Sequence, residues 1–277
     1  MVPTAMPHAA RNLFREDIVR LLSPLFVLRR FLLAAFAILA FGAPAMAGWY
    51  QVENYEGEVG GKPIHISLQT YDFGSGITVE GSYYFDAERR PVAVYGAVKD
   101  GRTVLCEISS EAELKRIVFI GSKTPFDFAA CPLVLSFDNV RAEGQWTRDG
   151  MDHAVTLKKV ASLNDRGEPS IEGRVDIPFW AQTATHMIVG RYENTASGIC
   201  LSTVGFIDKA SGKRDQELHY SDDPCNAGML MTPIYMNVER WADSGREIVG
   251  VNFRDGRAGY SEDFVYDAAK NRFVKAP

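Results

Sequence analysis

Histidine and cysteine are both scarce in this chain, and neither is arranged for metal or redox chemistry. The sequence has five histidines and four cysteines, with no H-x-x-x-H, H-E-x-x-H or C-x-x-C spacing. This excludes the helix-borne zinc sites and dithiol redox sites that depend on those motifs. The G-x-S-x-G turn of hydrolases and the G-x-x-x-x-G-K-[ST] phosphate loop are missing too. These missing motifs favour a protein that is not an enzyme.

The sequence also lacks an apolar run long enough to cross a bilayer as a helix. Residues 31–41 form an apolar run of eleven residues, against the roughly 20 that a transmembrane helix needs. The run follows two arginines and is broken by Gly42 and Pro44, ahead of an Ala-Met-Ala sequence that ends at Ala47. This order is typical of a secretory signal peptide. We expect residues 1–47 to be removed, leaving a periplasmic or secreted protein with no stable membrane anchor.

The first 26 residues are unusual for a signal peptide. Glu16 and Asp17 add acidic charge, and residues 21–28 add a second apolar patch. If Val27 is read from an alternative start codon, residues 1–26 are not translated, and the basic region then has an ordinary length. Sequencing the N-terminus of the nascent protein distinguishes the two starts.

Basic residues are outnumbered by acidic ones, 30 to 35, for a net charge of −5. Residues 1–47 hold five arginines and two acidic residues, so the chain after them has 25 basic and 33 acidic side chains and a net charge of −8. This sign argues against nucleic acid as a partner, because phosphates demand a basic surface. It suits a cationic secreted or periplasmic enzyme, which an acidic surface would steer. Ordinary solubility is the alternative explanation.

All four cysteines lie after residue 47. In an oxidising compartment an even number favours disulfides, and four cysteines allow three pairings. We expect bonds from Cys106 to Cys131 and from Cys200 to Cys225, because each pair closes a short loop within its own half of the chain.

Alternating apolar and polar residues dominate the chain after residue 47, and this period of two is typical of half-buried strands. Ile64, Ile66 and Leu68, for example, share one face of a strand. Asp100-Gly101 predicts a type I′ hairpin turn. Only residues 110–116 indicate a helix. Regular short strands with turns between them predict an all-β protein, an antiparallel barrel or sandwich.

A boundary interrupts this pattern in the middle of the chain. Residues 161–170 are polar, contain glycine and proline, and lack periodicity. We therefore expect two β domains in tandem, residues 48–160 and 171–277, joined by this linker.

Consecutive aromatic residues offer a candidate binding surface. Neighbours in a strand point to opposite faces, so Tyr84 should point away from the face that holds Tyr83 and Phe85. Tyr95, in the next strand, is expected alongside Tyr84. An exposed pair would bind glycan or protein, whereas in a closed sandwich the same rings would cap a second layer.

Two acidic clusters are the other candidate sites. Asp222 and Asp223 lie in a loop that the predicted bond to Cys225 would pin, where they could contact a cationic partner. Calcium takes six to eight oxygen ligands from adaptable loops. The candidate ligands around the last hairpin are Asn252, Asp255, Glu262 and Asp263. Neither cluster follows the D-x-[DN]-x-[DN]-G pattern, and solvated turn residues are the alternative interpretation. No other cofactor is expected.

Several segments resemble a recurrent pattern of bacterial envelope proteins. The pattern consists of G-x-Y-Y-Y, a short strand that ends in L-x-G, an x-L-x-E strand and G-x-W. Its counterparts here are residues 79–85, 92–96, 100–107 and 144–146. The tail, residues 251–256 and 264–274, is similar to an N-F-D-G-type loop followed by a Y-D-x-x-x-x-x-F-V end. Proteins with this pattern include periplasmic immunity proteins and lysozyme inhibitors.

The resemblance implies a periplasmic all-β protein that binds and blocks a peptidoglycan hydrolase without turnover. The S-G-x-x-Y loop of lysozyme inhibitors has no counterpart, since Ser75-Gly76 and Ser197-Gly198 are not followed by its tyrosine. Two other hypotheses remain open. One is a carbohydrate-active hydrolase with dispersed carboxylates that meet only in space, and the other is a structural envelope module.

Overall fold

A computed structural model describes residues 50–71, 77–115, 117, 127–165, 167, 169–195, 198–220, 237–255 and 258–276. The expected signal peptide, residues 1–47, lies outside these ranges. The described residues belong to one compact unit. Within the described ranges, no helix is long and apolar enough to span a membrane.

The first eight strands close into an antiparallel barrel, in which β1 pairs with both β2 and β8. The strands are β1 (Tyr50–Val59), β2 (Lys62–Tyr71), β3 (Val79–Phe85), β4 (Val92–Lys99), β5 (Arg102–Glu107), β6 (Leu133–Phe137), β7 (Arg141–Arg148) and β8 (Met151–Asn164). Closure leaves no strand edge unpaired around the barrel. The predicted all-β class is confirmed.

Tight turns with positive φ angles connect barrel strands. Asp100 and Gly101, with φ angles of 51° and 74°, join β4 to β5, which confirms the predicted hairpin. Asp149 and Gly150, at 52° and 74°, join β7 to β8 in the same way. Two successive positive φ angles are the geometry of a type I′ turn, whose twist matches that of the strands.

One face of each barrel strand fills the interior. Ile64, Ile66 and Leu68 of β2 point inward, as their alternation predicts, alongside Leu105 and Leu157. Small barrels are filled by their own side chains in this way. Because side chains fill the interior, the surfaces open to a ligand are the ends of the barrel and its outer wall.

Two four-stranded antiparallel sheets follow the barrel. The middle sheet contains β9 (Arg174–Pro178), β10 (His186–Thr195), β11 (Gly198–Asp208) and β12 (Arg214–His219). The C-terminal sheet contains β13 (Val238–Asp243), β14 (Arg246–Asp255), β15 (Ala258–Asp267) and β16 (Arg272–Lys275). Strand β8 extends into the stretch 161–170 that was predicted as a linker, and residues 171–277 contribute both sheets. The division into two domains stays a prediction.

A second core joins the outer wall of the barrel to both sheets. Val52 and Leu163 come from the barrel wall, Ile177 and Phe206 from the middle sheet and Phe273 from the C-terminal sheet, and all are buried. The rings of Phe206 and Phe273 stack with centroids 4.1 Å apart. Part of the outer wall of the barrel and the two sheets thus share one core.

A disulfide joins Cys106, in β5, to Cys131, as predicted, with the two Cα atoms 4.4 Å apart. The loop that it closes contains a short helix, Glu111–Lys115, where the sequence indicated one. Cys200 is also disulfide-bonded. Its predicted partner, Cys225, lies outside the described residues.

Candidate functional site

An open cleft of about 770 Å³ lies at one end of the barrel, where loops of the middle sheet and strands β13 and β14 of the C-terminal sheet approach it. We call it the barrel-mouth cleft. Its barrel side includes Tyr83, Phe85, Glu107 and Arg148, near the ends of β3, β5 and β7. The facing side includes Trp180, Gln182, Thr183, Ala184, Lys209, Arg240 and Glu247. Mouths of β-barrels are frequent ligand sites.

Hydrogen bonds hold the loop between β9 and β10 against the barrel. Gln182 donates through Nε2 to the carbonyl oxygen of Pro91 at 2.8 Å, and its Oε1 accepts from Lys209 Nζ at 2.8 Å. Lys209 Nζ also donates to the carbonyl oxygen of Thr183 at 2.7 Å. Arg89 Nη1 donates to the carbonyl oxygen of Lys209 at 2.9 Å. The cleft walls are therefore preorganised, which lowers the entropic cost of binding.

Burial and repulsion both act on the charge of Lys209. Burial is the main cause that lowers the pKa of its ammonium group, and repulsion from Arg90 and Arg240 lowers that pKa further, while Glu247 opposes the shift. Both oxygens that accept from Lys209 Nζ are neutral. An anion that entered the cleft would relieve this repulsion.

Three cations of the cleft lack a carboxylate partner. Among the described residues, Arg90, Arg148 and Lys209 form no ion pair with Asp or Glu, and we call these three residues the cationic group. The guanidinium of Arg148 lies over the ring of Trp146, 5.2 Å from its centroid. Arg240, by contrast, pairs with a glutamate at 3.1 Å. The lining of the cleft has four basic and three acidic side chains, an excess of one positive charge, although the chain as a whole is acidic.

The cleft also holds glutamates and an indole ring. Glu107 accepts a hydrogen bond from the Tyr83 hydroxyl at 2.7 Å. Burial, and then the charge of Glu107, raises the pKa of that phenol. Glu88 is exposed, and Trp180 is half-buried. An indole face suits an apolar or sugar ring, whereas the cationic group suits an anion.

A second, smaller cavity of about 160 Å³ lies between the outer wall of the barrel and the middle sheet. We call it the interlayer cavity. Two rows of cross-strand neighbours run over β1, β2 and β3 on this wall, Asn54–Ser67–Ser82 and Glu56–His65–Tyr84. The middle sheet contributes Asp176, Pro178, Val189, Ile207 and Arg214.

The first row anchors strand β9. Asn54 Nδ2 donates to the carbonyl oxygen of Asp176 at 2.7 Å, and Ser82 Oγ donates to that of Pro178 at 2.6 Å. Ser67 lies between them, is 2% exposed and has no hydrogen-bond partner for its hydroxyl among the described residues. The Oδ1 of Asn54 is likewise buried without a partner there. The row therefore leaves two polar oxygens unsatisfied at the cavity.

The second row is aromatic and acidic. The ring of His65 stacks on Tyr84 at 4.8 Å between centroids. Its Nε2 lies 2.7 Å from Asp86 Oδ1 and its Nδ1 lies 3.4 Å from Glu56 Oε1. Burial raises the pKa of the Tyr84 phenol, and the charges of Asp86, Glu56 and Asp176 raise it further, against the opposing charge of Arg214. These carboxylates make the potential at the phenol negative.

The cations of the facing wall are already paired. Arg191 donates to both carboxylate oxygens of Asp176, from Nε at 2.9 Å and from Nη2 at 3.0 Å. Arg214 Nη2 lies 3.4 Å from the same carboxylate, and Arg214 also pairs with Glu217. These ion pairs fix the floor of the interlayer cavity.

The structure separates the two aromatic residues that were predicted to lie side by side. Both point out of the barrel, as alternation predicts, but Tyr95 lies opposite Glu80 and Tyr84 lies opposite His65. The expected juxtaposition is therefore wrong. Tyr95 is 6% exposed in the second core, and its hydroxyl donates to Glu113 at 3.2 Å. Tyr95 is thus covered by a second layer and does not form part of an exposed binding surface.

The two predicted acidic sites lie partly outside the described residues and stay predictions. Outside these residues lie Asp222, Asp223 and the side chain of Asp255. Asn252 donates to Glu239 at 2.8 Å, Glu262 pairs with Lys275 at 2.7 Å, and Asp263 accepts from a nearby serine. No group of three or more His, Cys, Asp or Glu side chains among the described residues is placed to hold a metal ion.

Comparison with known proteins adds no relative. No protein-family model matches the chain, and neither the curated proteins nor the solved structures produce a match.

The sequence predicted none of the residues of the cationic group. Arg90 lies between β3 and β4, Lys209 lies between β11 and β12, and Arg148 ends β7. The sequence around each of them looks like that of an ordinary solvated residue. They meet because the turn between β11 and β12 of the middle sheet lies at the same end of the barrel as Arg90 and Arg148. The one usable signal was the position of basic residues at turns in an otherwise acidic chain.

Proposed function

We propose that this chain is an exported binding protein that holds an anionic ligand in the barrel-mouth cleft without chemical turnover. The observation that supports it most directly is the cationic group, which lacks carboxylate partners among the described residues and lines the same cleft as the half-buried Trp180. The net charge of −5 makes this local excess of positive charge a feature of the cleft and not of the chain as a whole.

The chemistry of the cleft indicates the kind of ligand. Guanidinium groups bind carboxylate and phosphate oxygens through paired N–H donors, and a lysine adds a compact positive charge. The indole of Trp180 offers a flat apolar face to a ring. We infer a ligand that combines a ring with at least one carboxylate or phosphate group, such as an acidic sugar.

Export is proposed from the sequence pattern of residues 1–47, which is that of a signal peptide. The disulfide between Cys106 and Cys131 suits an oxidising compartment, because thiols in the cytosol are kept reduced. The proposed location is therefore the periplasm or the cell exterior.

Calorimetric titration tests the proposal with galacturonate and glucose 6-phosphate as probes and with galactose and glucose as neutral counterparts. We expect the neutral sugars to bind at least about tenfold more weakly than their charged counterparts. This factor corresponds to the free energy of one charge-assisted hydrogen bond. Arg90→Gln and Lys209→Gln should each weaken the charged probes by a similar factor. Arg102→Gln, an exposed position that does not line the cleft, is the matched control. Equal binding of charged and neutral sugars would contradict the proposal.

An inhibitor or immunity protein against a cationic peptidoglycan hydrolase is the more specific form of a binding function. The acidic net charge and the resemblance to periplasmic immunity proteins support it. Since the lining of the cleft has an excess of one positive charge, such a hydrolase would contact the acidic surface outside it. The association rate should fall as the Debye length shortens from about 30 Å at 0.01 M salt to about 8 Å at 0.15 M. A flat salt response with no inhibition of the hydrolase would contradict this form.

A carbohydrate-active hydrolase is the competing function, because Glu88, Glu107 and Glu247 line the same cleft. Glycoside hydrolysis needs two carboxyl groups that flank the scissile bond. Release of reducing ends from a glycan, lost in both Glu107→Gln and Glu247→Gln, would establish turnover. Retained binding with no released product would instead favour binding alone.

A further inference from the structure

The interlayer cavity is a built site that shares no lining residue with the barrel-mouth cleft. Hydrogen bonds from Asn54 and Ser82 to the backbone of β9 hold the barrel wall and the middle sheet together around it. Its volume of about 160 Å³ exceeds what one ordered water occupies, since a water takes up about 30 Å³ in the liquid. The cavity therefore has room for a small organic group.

Unpartnered oxygens indicate that this group donates hydrogen bonds. Ser67 Oγ and Asn54 Oδ1 both belong to residues that line the cavity, and neither has a partner among the described residues. Ser67 is 2% exposed, so bulk water does not satisfy its hydroxyl. A buried oxygen without a donor carries a free-energy penalty that a donating ligand would remove.

The charges around the cavity indicate that this group is positive. Glu56 and Asp86 flank His65 on the barrel wall. Burial raises the pKa of the Tyr84 phenol, and the charges of Asp86, Glu56 and Asp176 raise it further, while the charge of Arg214 opposes the shift. The arginines of the facing wall are already paired with carboxylates. A cation that enters therefore meets the carboxylates of Glu56 and Asp86, with which these arginines do not pair.

We propose that the interlayer cavity binds a primary ammonium group. Three N–H donors complement Ser67 Oγ, Asn54 Oδ1 and the carboxylate of Glu56. The alkyl chain of the ligand would contact the apolar side chains that line the cavity, Val160, Pro178, Val189 and Ile207. This site goes beyond the proposed function, which concerns an anion in a different cleft.

Titration with n-butylammonium chloride, followed by calorimetry and by the shift in thermal midpoint, tests the proposal at constant ionic strength. We expect saturable binding of n-butylammonium. 1-Butanol, which lacks the charge, and butyltrimethylammonium, which lacks the N–H donors, should each bind at least about tenfold more weakly. Equal effects of all three probes would overturn the proposal, because they would show non-specific binding.

Variants assign the effect to the cavity. Glu56→Gln and Ser67→Ala should each weaken n-butylammonium about fivefold to tenfold, as expected for loss of one hydrogen bond to a charged group. Ser67→Ala should not lower the thermal midpoint, because it removes a hydroxyl that has no partner among the described residues. A loss of binding in this variant therefore cannot be attributed to misfolding. Glu58→Gln, exposed on the same strand and outside the cavity, is the control. Unchanged binding in both cavity variants would overturn the proposal.

The ammonium group could come from a free amine or from a lysine side chain of a partner protein. Nα-acetyl-lysine amide and n-butylammonium distinguish these sources, because the former adds a peptide backbone. Comparable binding of both indicates that lysine side chains are accepted, and binding of n-butylammonium alone indicates a free amine. A crystal structure with n-butylammonium that contains only water in the cavity would overturn the proposal.

Discussion

The side-chain amide of Gln216 exchanges two hydrogen bonds with the backbone of Phe273. Its Nε2 donates to the carbonyl oxygen of Phe273 at 2.8 Å, and its Oε1 accepts from the N–H of Phe273 at 2.7 Å. Gln216 lies in β12 at the edge of the middle sheet, and Phe273 lies in β16 at the edge of the C-terminal sheet. The amide takes the place of a neighbouring strand. One side chain thus joins two sheets whose described strands do not pair with each other.

Gln216→Leu should lower the free energy of unfolding by about 1–3 kcal/mol, because it leaves both backbone groups of a buried residue without partners. Urea unfolding followed by circular dichroism measures this change. Gln145→Leu is the control, since Gln145 is exposed and bonded to Asp152. An equal loss of stability in the two variants would show that the bonds to Phe273 are not special.

Glu80 should make the stability of the protein depend on pH. Burial raises the pKa of Glu80 to about 7, from 4.5, although a hydrogen bond from Tyr71 lowers it in part. Between these two values the folded protein holds a proton that the unfolded chain has released. Stability should therefore fall as pH rises through this window, by on the order of 3 kcal/mol, and level off above it.

The comparison with Glu80→Gln isolates this contribution from that of other groups. The variant should lack the fall between pH 4.5 and 7 and should be the more stable protein at pH 8. Urea midpoints at intervals of one pH unit measure the difference. Glu143→Gln, at an exposed position, should follow the wild type. A pH profile of Glu80→Gln parallel to that of the wild type would show that Glu80 titrates normally.

Tyr95→Ala should act on stability, not directly on ligand binding. Its ring is buried in the second core, so the truncation should cost about 3–5 kcal/mol. Tyr95→Phe keeps the ring and should cost about 1 kcal/mol for the bond to Glu113. Thermal and urea unfolding measure both values. A Tyr95→Ala protein as stable as the wild type would contradict the burial of this ring in the second core.

The disulfide between Cys106 and Cys131 spans a sequence separation of 25, and closing such a loop should stabilise the protein by about 3 kcal/mol. The double variant Cys106→Ser, Cys131→Ser should unfold at correspondingly lower urea concentration. Digestion without reduction should also link Cys200 with Cys225. A peptide that links Cys106 with Cys200 would contradict both pairings.

The all-β class could be predicted because alternation is local information. Ile64, Ile66 and Leu68 point inward as their spacing requires, and Asp100-Gly101 forms the turn that its φ preferences favour. Each of these features depends on residues a few positions apart. The closure of β1 onto β8 does not, because nothing local distinguishes an open sheet from a closed one.

By itself the sequence determined the strands, the tight turns and the outward direction of Tyr84 and Tyr95, since these follow from backbone sterics and the two-residue period. Only the tertiary structure decided what those outward side chains meet. Tyr95 is buried beneath other elements, whereas Tyr84 lines a cavity with Ser67. The cationic group likewise depends on the tertiary structure, because packing brings together residues that are far apart in the chain. The charge pattern along the sequence contains no information on that packing.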